Sequence, residues 1–361
     1  MTEQGTAARG SVILASLRFN PAFVQHLVAF GKALQALDYG IVFLLDPGYD
    51  AFAELAALGR VVHETGSLQG ETSSHAIFLN TAVQNLEVAG SLKRRGTRIV
   101  YVYHEPWKPR IAYLMTDGFF TEIRAAAAHR VSVPLLKLAD TVILESGYAL
   151  GKYGEYDGHR NRNAVYFPQI YDDEAGEGTA ERAEARPYFS YIGNISRVHG
   201  FDQYVRFIRE CFRRREEARF LIASRLPLPE SVLRDRIIGA NADRIEIRCG
   251  RPLQNHEINR CYAQSAAVWN LYRRSMQSGV LPKAFMFGTP VIASRVGSFP
   301  EYVEEGVTGR FASAKDHDGI RAALDDIRAR AGEYAAHCRQ AFLETFYYKA
   351  RIADLEKLLA R

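Results

Sequence analysis

The sequence predicts an α/β protein made of two parallel-sheet domains. Three observations carry this reading. Apolar runs of strand length alternate with amphipathic stretches of helix length, one acidic segment poor in large apolar residues interrupts them near the middle, and the alternation then restarts. At 361 residues the chain is long for one domain and comfortable for two. Its composition, 47% hydrophobic and 24% charged, is that of a globular protein able to bury cores without disulfide staples.

Met1–Gly10 is polar, lacks the apolar core of a secretory signal, and reads as a disordered lead-in. Val12–Leu17 is a β-rich run, Ala22–Leu37 a long amphipathic stretch and Ile41–Leu45 a second apolar run; Ala76–Leu79, Ile99–Tyr103 and Val142–Leu144 repeat the theme. Strands spaced by helices of this length imply right-handed crossovers, hence a Rossmann-like domain over residues 11–170. Residues 171–187, YDDEAGEGTAERAEARP, read as a linker. Tyr188–Ile192, Phe220–Ala223, Ile245–Ile247, Ala267–Leu271 and Val291–Ala293 are the strand candidates of a second Rossmann-like domain over 188–340. Residues 341–361 carry apolar positions at helical spacing over Phe342–Leu359. Such a terminal helix often closes on the first domain, although periodicity alone leaves its docking open.

Several classes are excluded. No run of eighteen apolar residues exists, so no transmembrane helix is expected. Cys211, Cys249, Cys261 and Cys338 form no CxxC pair and read as buried free thiols in a reducing cytoplasm. No metal-ligand cluster stands out in the sequence, so no divalent cation or other cofactor is expected. The formal charge of +5 includes basic clusters at Lys93, Arg94, Arg95 and Arg98 and at Arg213–Arg215, with no nucleic-acid-binding motif beside them.

Open parallel sheets bind ligands beyond the carboxyl ends of their strands, which directs attention to four places. After Ile99–Tyr103 come His104 and Glu105, groups able to move protons or hold hydroxyls, with Trp107 to stack on a sugar. After Tyr188–Ile192 come Gly193, Asn194, Arg197 and His199; the glycines permit close backbone approach and the cations suit phosphate oxygens. After Ala267–Leu271 come Arg273, Arg274, Ser275, Gln277, Ser278 and Gly279, with Ser278 or Gly279 capping a helix that runs to about Phe287 and stops at Gly288. Its amino end is a seat for a diphosphate. The fourth place is Val296–Glu301, just after a strand.

The stretch QSGVLPKAFMFGTPVIASRVGSFPEYVEEGVTGRF, Gln277–Phe311, resembles glycosyltransferase family 4, with weaker echoes at Tyr191–Gly193, His199–Asp202 and Ala139–Asp140 leading to Ser146. The resemblance implies the GT-B fold, two Rossmann-like domains facing a cleft, and retaining transfer of a hexose from a nucleotide-diphosphate sugar by domain closure. Nucleotide sugar is then the donor, and a glycan or lipid-linked molecule the acceptor. The implied setting is bacterial surface-polysaccharide assembly, cytoplasmic or peripheral at the inner face of the membrane.

Carried over by position, His104 is the catalytic-side histidine. Glu105, Arg18 and Asn20 line the acceptor side, and Gly250, Arg225, Lys283 and Glu301 join the donor contacts named above. The family's two diphosphate cations are here Asn194 and His199, and its two glutamates are Ser275 and Lys283. Those departures leave two rivals in view: a non-catalytic relative that binds a partner, and a sugar-nucleotide enzyme of the same fold such as an epimerase.

Overall fold

The computed structural model describes residues 9–68, 72–104, 106, 119–176 and 186–361, except the side chains of 119–122, 124 and 125. It divides into two compact units, Met1–Asp172 with Thr345–Arg361, and Asp173–Glu344.

The first unit is a seven-stranded parallel sheet in the order β3-β2-β1-β4-β5-β6-β7. Its strands are β1 (Ser11–Ser16), β2 (Gly40–Leu45), β3 (Arg60–Val62), β4 (Ser73–Phe78), β5 (Arg98–Val102), β6 (Thr141–Leu144) and β7 (Ala164–Tyr166). Between them lie α1 (Val24–Gln35), α2 (Ala53–Leu58), α3 (Gln84–Arg94), α4 (Phe119–Leu138) and α5 (Gly147–Tyr156). Both faces are covered, which explains why β1 reads as an unbroken apolar run. Val12 and Leu14 enter one core with Leu27 and Leu34 of α1, while Ile13 and Ala15 enter the other with Val88 and Leu92 of α3. Residues 1–8 lie outside the described residues, but Gly10 already accepts a hydrogen bond from Gly40 N at 2.9 Å.

The second unit is a six-stranded parallel sheet in the order β10-β9-β8-β11-β12-β13. It comprises β8 (Tyr188–Ile192), β9 (Arg219–Ser224), β10 (Ile245–Cys249), β11 (Ser265–Asn270), β12 (Val291–Ala293) and β13 (Gly309–Phe311). Its main helices are α6 (Phe201–Arg213), α7 (Asn255–Ala263), α8 (Val280–Met286), α9 (His317–Ala329) and α10 (Ala331–Thr345). The direction of winding reverses between β8 and β11, the topological switch point of a doubly wound sheet.

Two expectations need correction. The single helix over Phe342–Leu359 is instead the end of α10, a break at Tyr347 and a last helix, α11 (Ile352–Leu359). Tyr347 leaves the helix because it bridges to Tyr171, with Tyr171 N donating to Phe346 O at 2.8 Å. Leu355, Leu358 and Leu359 of α11 then join the core of the first unit. The linker is also less detached than its composition suggests. Tyr171 is buried, Asp173 pairs with Arg339, and Arg186 is buried with its guanidinium donating to Phe287 O, Gly288 O and Thr289 Oγ1, the carbonyl end of α8. Residues 177–185 lie outside the described residues.

Candidate functional site

In the second unit, three of the predicted places meet at the carboxyl ends of the central strands. Arg273 N donates to Val198 O at 2.8 Å, the His199 ring stacks on Tyr272 at 4.5 Å, and Trp269 Nε1 donates to His199 O. The loops after β8 and β11 are thereby locked together. The approach is so close that Gly200, at φ +71°, has room for no Cβ: an added one would lie 2.4 Å from Leu271 O. The loop after β12 rests on the same platform. Gly297, at φ +59°, lies so close to Ser275 that a Cβ would stand 1.6 Å from its carbonyl oxygen. Gly193, at φ +128°, faces Val280 at the start of α8, whose N-cap is Gly279 rather than Ser278.

Side chains on this platform divide into committed and available groups. Arg273, expected to clamp a diphosphate, pairs with Asp202 in the first turn of α6, with contacts of 2.9 and 2.8 Å. Burial alone would raise the Asp202 carboxyl, but the Arg273 guanidinium outweighs it and holds it below the usual carboxylate range. Lys283, expected at the donor, is buried. Its Nζ meets Glu174 Oε2 at 2.5 Å and Asn259 Oδ1 at 3.0 Å, because an ammonium taken out of water requires a carboxylate. His199 Nδ1 meets Asn194 O at 3.2 Å, and Ser275 Oγ donates to Gln277 O.

Arg197 and Arg225, both exposed, take part in no ion pair among the described residues and stand at the ends of β8 and β9. Gly250, at φ +91°, follows β10, and Arg274 is half-buried. Glu301 is exposed on the one-turn helix Phe299–Tyr302. Sequence reasoning missed Asn270, which ends β11 fully buried with neither Nδ2 nor Oδ1 hydrogen-bonded, and which shares this property with Gln277 Oε1. A polar residue closing an otherwise apolar strand was its only signal.

In the first unit, Arg18 is exposed and in no ion pair among the described residues, while Asn20 Oδ1 caps the turn at Pro21 by accepting from Ala22 N. Glu105 and Trp107 lie outside the described residues. His104 lies two residues past β5, with Nε2 2.6 Å from Leu79 O and Nδ1 2.6 Å from Glu145 Oε2. Glu145, Gln169 and His26 were also missed, since nothing in the spacing links them to His104. Burial alone would raise the Glu145 carboxyl, but His104, His26 and the Gln169 amide hold it below its usual range.

His26 is wholly buried, and desolvation pushes its imidazole down to about 4 from 6.5. The unfolded chain therefore takes up this proton first, and stability falls as pH drops from about 6.5 towards 4, by up to about 3 kcal/mol. His26→Gln is expected to flatten that limb in urea titrations run from pH 7 to pH 4.5. Parallel losses in both proteins would remove His26 as its source. Glu145, with its lowered carboxyl, adds a loss in the same direction below about 4.5.

Residues 186–329 match the family described as glycosyl transferases group 1. No curated protein sequence is significantly similar to the chain. Among solved structures, the sucrose-phosphate synthase of Thermosynechococcus elongatus is 16% identical, with a TM-score of 0.73 over 97% of this chain and 98% of that one. HepE of Anabaena, in complex with UDP-glucose, is 12% identical with a TM-score of 0.69, covering 98% and 100%. The UDP-forming α,α-trehalose-phosphate synthase of Burkholderia xenovorans is 14% identical with a TM-score of 0.64, covering 97% and 100%. The fold is GT-B. The platform just described lies within the stretch that matches this family model. Among the described residues no group of three or more metal-ligating side chains occurs, and no helix is long and apolar enough to cross a membrane.

Proposed function

We propose that the chain transfers a hexose, with retention of configuration and without a divalent cation, from a nucleotide-diphosphate sugar to a glycan or lipid-linked acceptor. The observation that carries this reading is the glycine-built platform of the second unit, flanked by the uncommitted Arg197 and Arg225. The nucleotide seats on that platform, with Asn270 and Gln277 offering unmet hydrogen-bonding groups beneath it. Neighbours of the same fold were solved with UDP-glucose and with glucose-6-phosphate, and that supports a nucleotide sugar and a polar acceptor here. Catalysis on this reading is positioning together with stabilisation of the departing diphosphate. The basic face at Arg94, Arg95 and Arg98 suits an anionic membrane surface, in keeping with a lipid-linked acceptor and surface-polysaccharide assembly.

Calorimetric titration with UDP, GDP, dTDP and ADP tests the donor half. One nucleotide is expected to bind, and Arg197→Ala with Arg225→Ala to weaken it at least about tenfold, since a charge-assisted contact contributes about 1.5–3 kcal/mol. No binding at millimolar nucleotide overturns the proposal. A non-catalytic relative is the second reading, favoured by the commitment of Arg273 to Asp202 and of Lys283 to Glu174. It predicts nucleotide binding with no donor turnover in any acceptor extract.

A further inference from the structure

The loop after β6 holds a carboxylate that neither the family match nor the strand-end reading singles out. His104 touches two acceptors at once. A carbonyl oxygen only accepts, so the 2.6 Å contact to Leu79 O places a proton on Nε2. The 2.6 Å contact to Glu145 Oε2 places the second on Nδ1, provided that Glu145 is ionised. Its surroundings make it so. Tyr171 OH donates to Gln169 Oε1 at 3.2 Å, which turns the amide so that Nε2 donates to Glu145 Oε2 at 3.1 Å. The same carboxylate oxygen thus receives two donors in a nearly dry site, the Glu145 side chain being 5% exposed.

The remaining groups facing the pair are consistent with one positive charge there. His26 of α1 donates from Nδ1 to Ile170 O rather than to the carboxylate and stays neutral, and the Phe23 ring packs 4.9 Å from that of His104.

We propose that Glu145 is a positioning residue that keeps His104 a doubly protonated imidazolium at neutral pH, so that His104 serves as a fixed, oriented group and not as a proton carrier. With both nitrogens protonated the ring has no lone pair with which to take a proton from an acceptor hydroxyl. The kinetic part of this inference rests on the transferase reading; the protonation state does not.

Long-range proton–nitrogen NMR on the full chain labelled at histidine nitrogen, with His104→Gln used for assignment, reads the state directly. At pH 7.5 both His104 nitrogens are expected at imidazolium shifts. Glu145→Gln is expected to lower the His104 midpoint by at least about one pH unit, a tenfold loss of proton affinity, and Glu145→Asp to restore most of it. A neutral His104 tautomer in the unaltered protein overturns the proposal, and so does a midpoint unmoved by Glu145→Gln. Once a donor is found, the kcat profile should carry no limb from His104 between pH 6 and 8 and should gain one in Glu145→Gln; a limb in the unaltered protein also overturns it. Absent turnover with an intact imidazolium sinks the transferase reading alone.

Discussion

Replacing Gly297 with alanine is expected to destabilise the second unit by about 4 kcal/mol and to abolish nucleotide binding. Two costs combine. The residue sits at φ +59°, where a side chain is strained, and the new Cβ would fall 1.6 Å from Ser275 O and 2.6 Å from Ser275 C. Both obstacles are backbone atoms, so no rotamer change relieves them, and the loops after β11 and β12 must part. That separation removes the floor on which Gln277 and Gly279 are placed. Thermal unfolding should show a drop of at least about 8 °C for a unit of this size. A shift within about 1 °C would mean that the loops do not cross as described.

Lys283→Met is expected to cost about 3 kcal/mol, because it leaves the largely shielded Glu174 carboxylate beside Asn259 without its cation. Glu174→Gln should cost a similar amount, and the double variant should recover much of the loss. A double-mutant cycle in denaturant measures the coupling. Additive losses would show that Lys283 and Glu174 act separately, and would return Lys283 to the donor contacts that the sequence suggested for it.

The sequence made the sheets legible and the commitments of individual cations illegible. Tyr188–Ile192 and Val291–Ala293 were bounded to the residue, because strands buried on both faces are continuous apolar runs. Arg60–Val62, Ala164–Tyr166 and Gly309–Phe311 were missed; they are three-residue edge strands, too short for any period to register. Among site residues, the glycines at 193 and 297 and the α8 cap at Gly279 could be found because backbone requirements are local. The ion pairs of Arg273 and Lys283 could not be read because their partners, Asp202 and Glu174, lie 71 and 109 residues away. A free guanidinium and an ion-paired one have the same letter in the sequence. The His104–Glu145 pair, 41 residues apart, escaped for the same reason.

The return of residues 345–361 to the first unit has a consequence for synthesis. Domains usually fold in the order in which the ribosome releases them. Here the segment 173–344 is complete while the first unit still lacks Leu355, Leu358 and Leu359 of its core. The core of the first unit therefore cannot close until residues 345–361 are available. Until α11 is in place, the part of that apolar interior which Leu355, Leu358 and Leu359 cover stays open to chaperones and proteases.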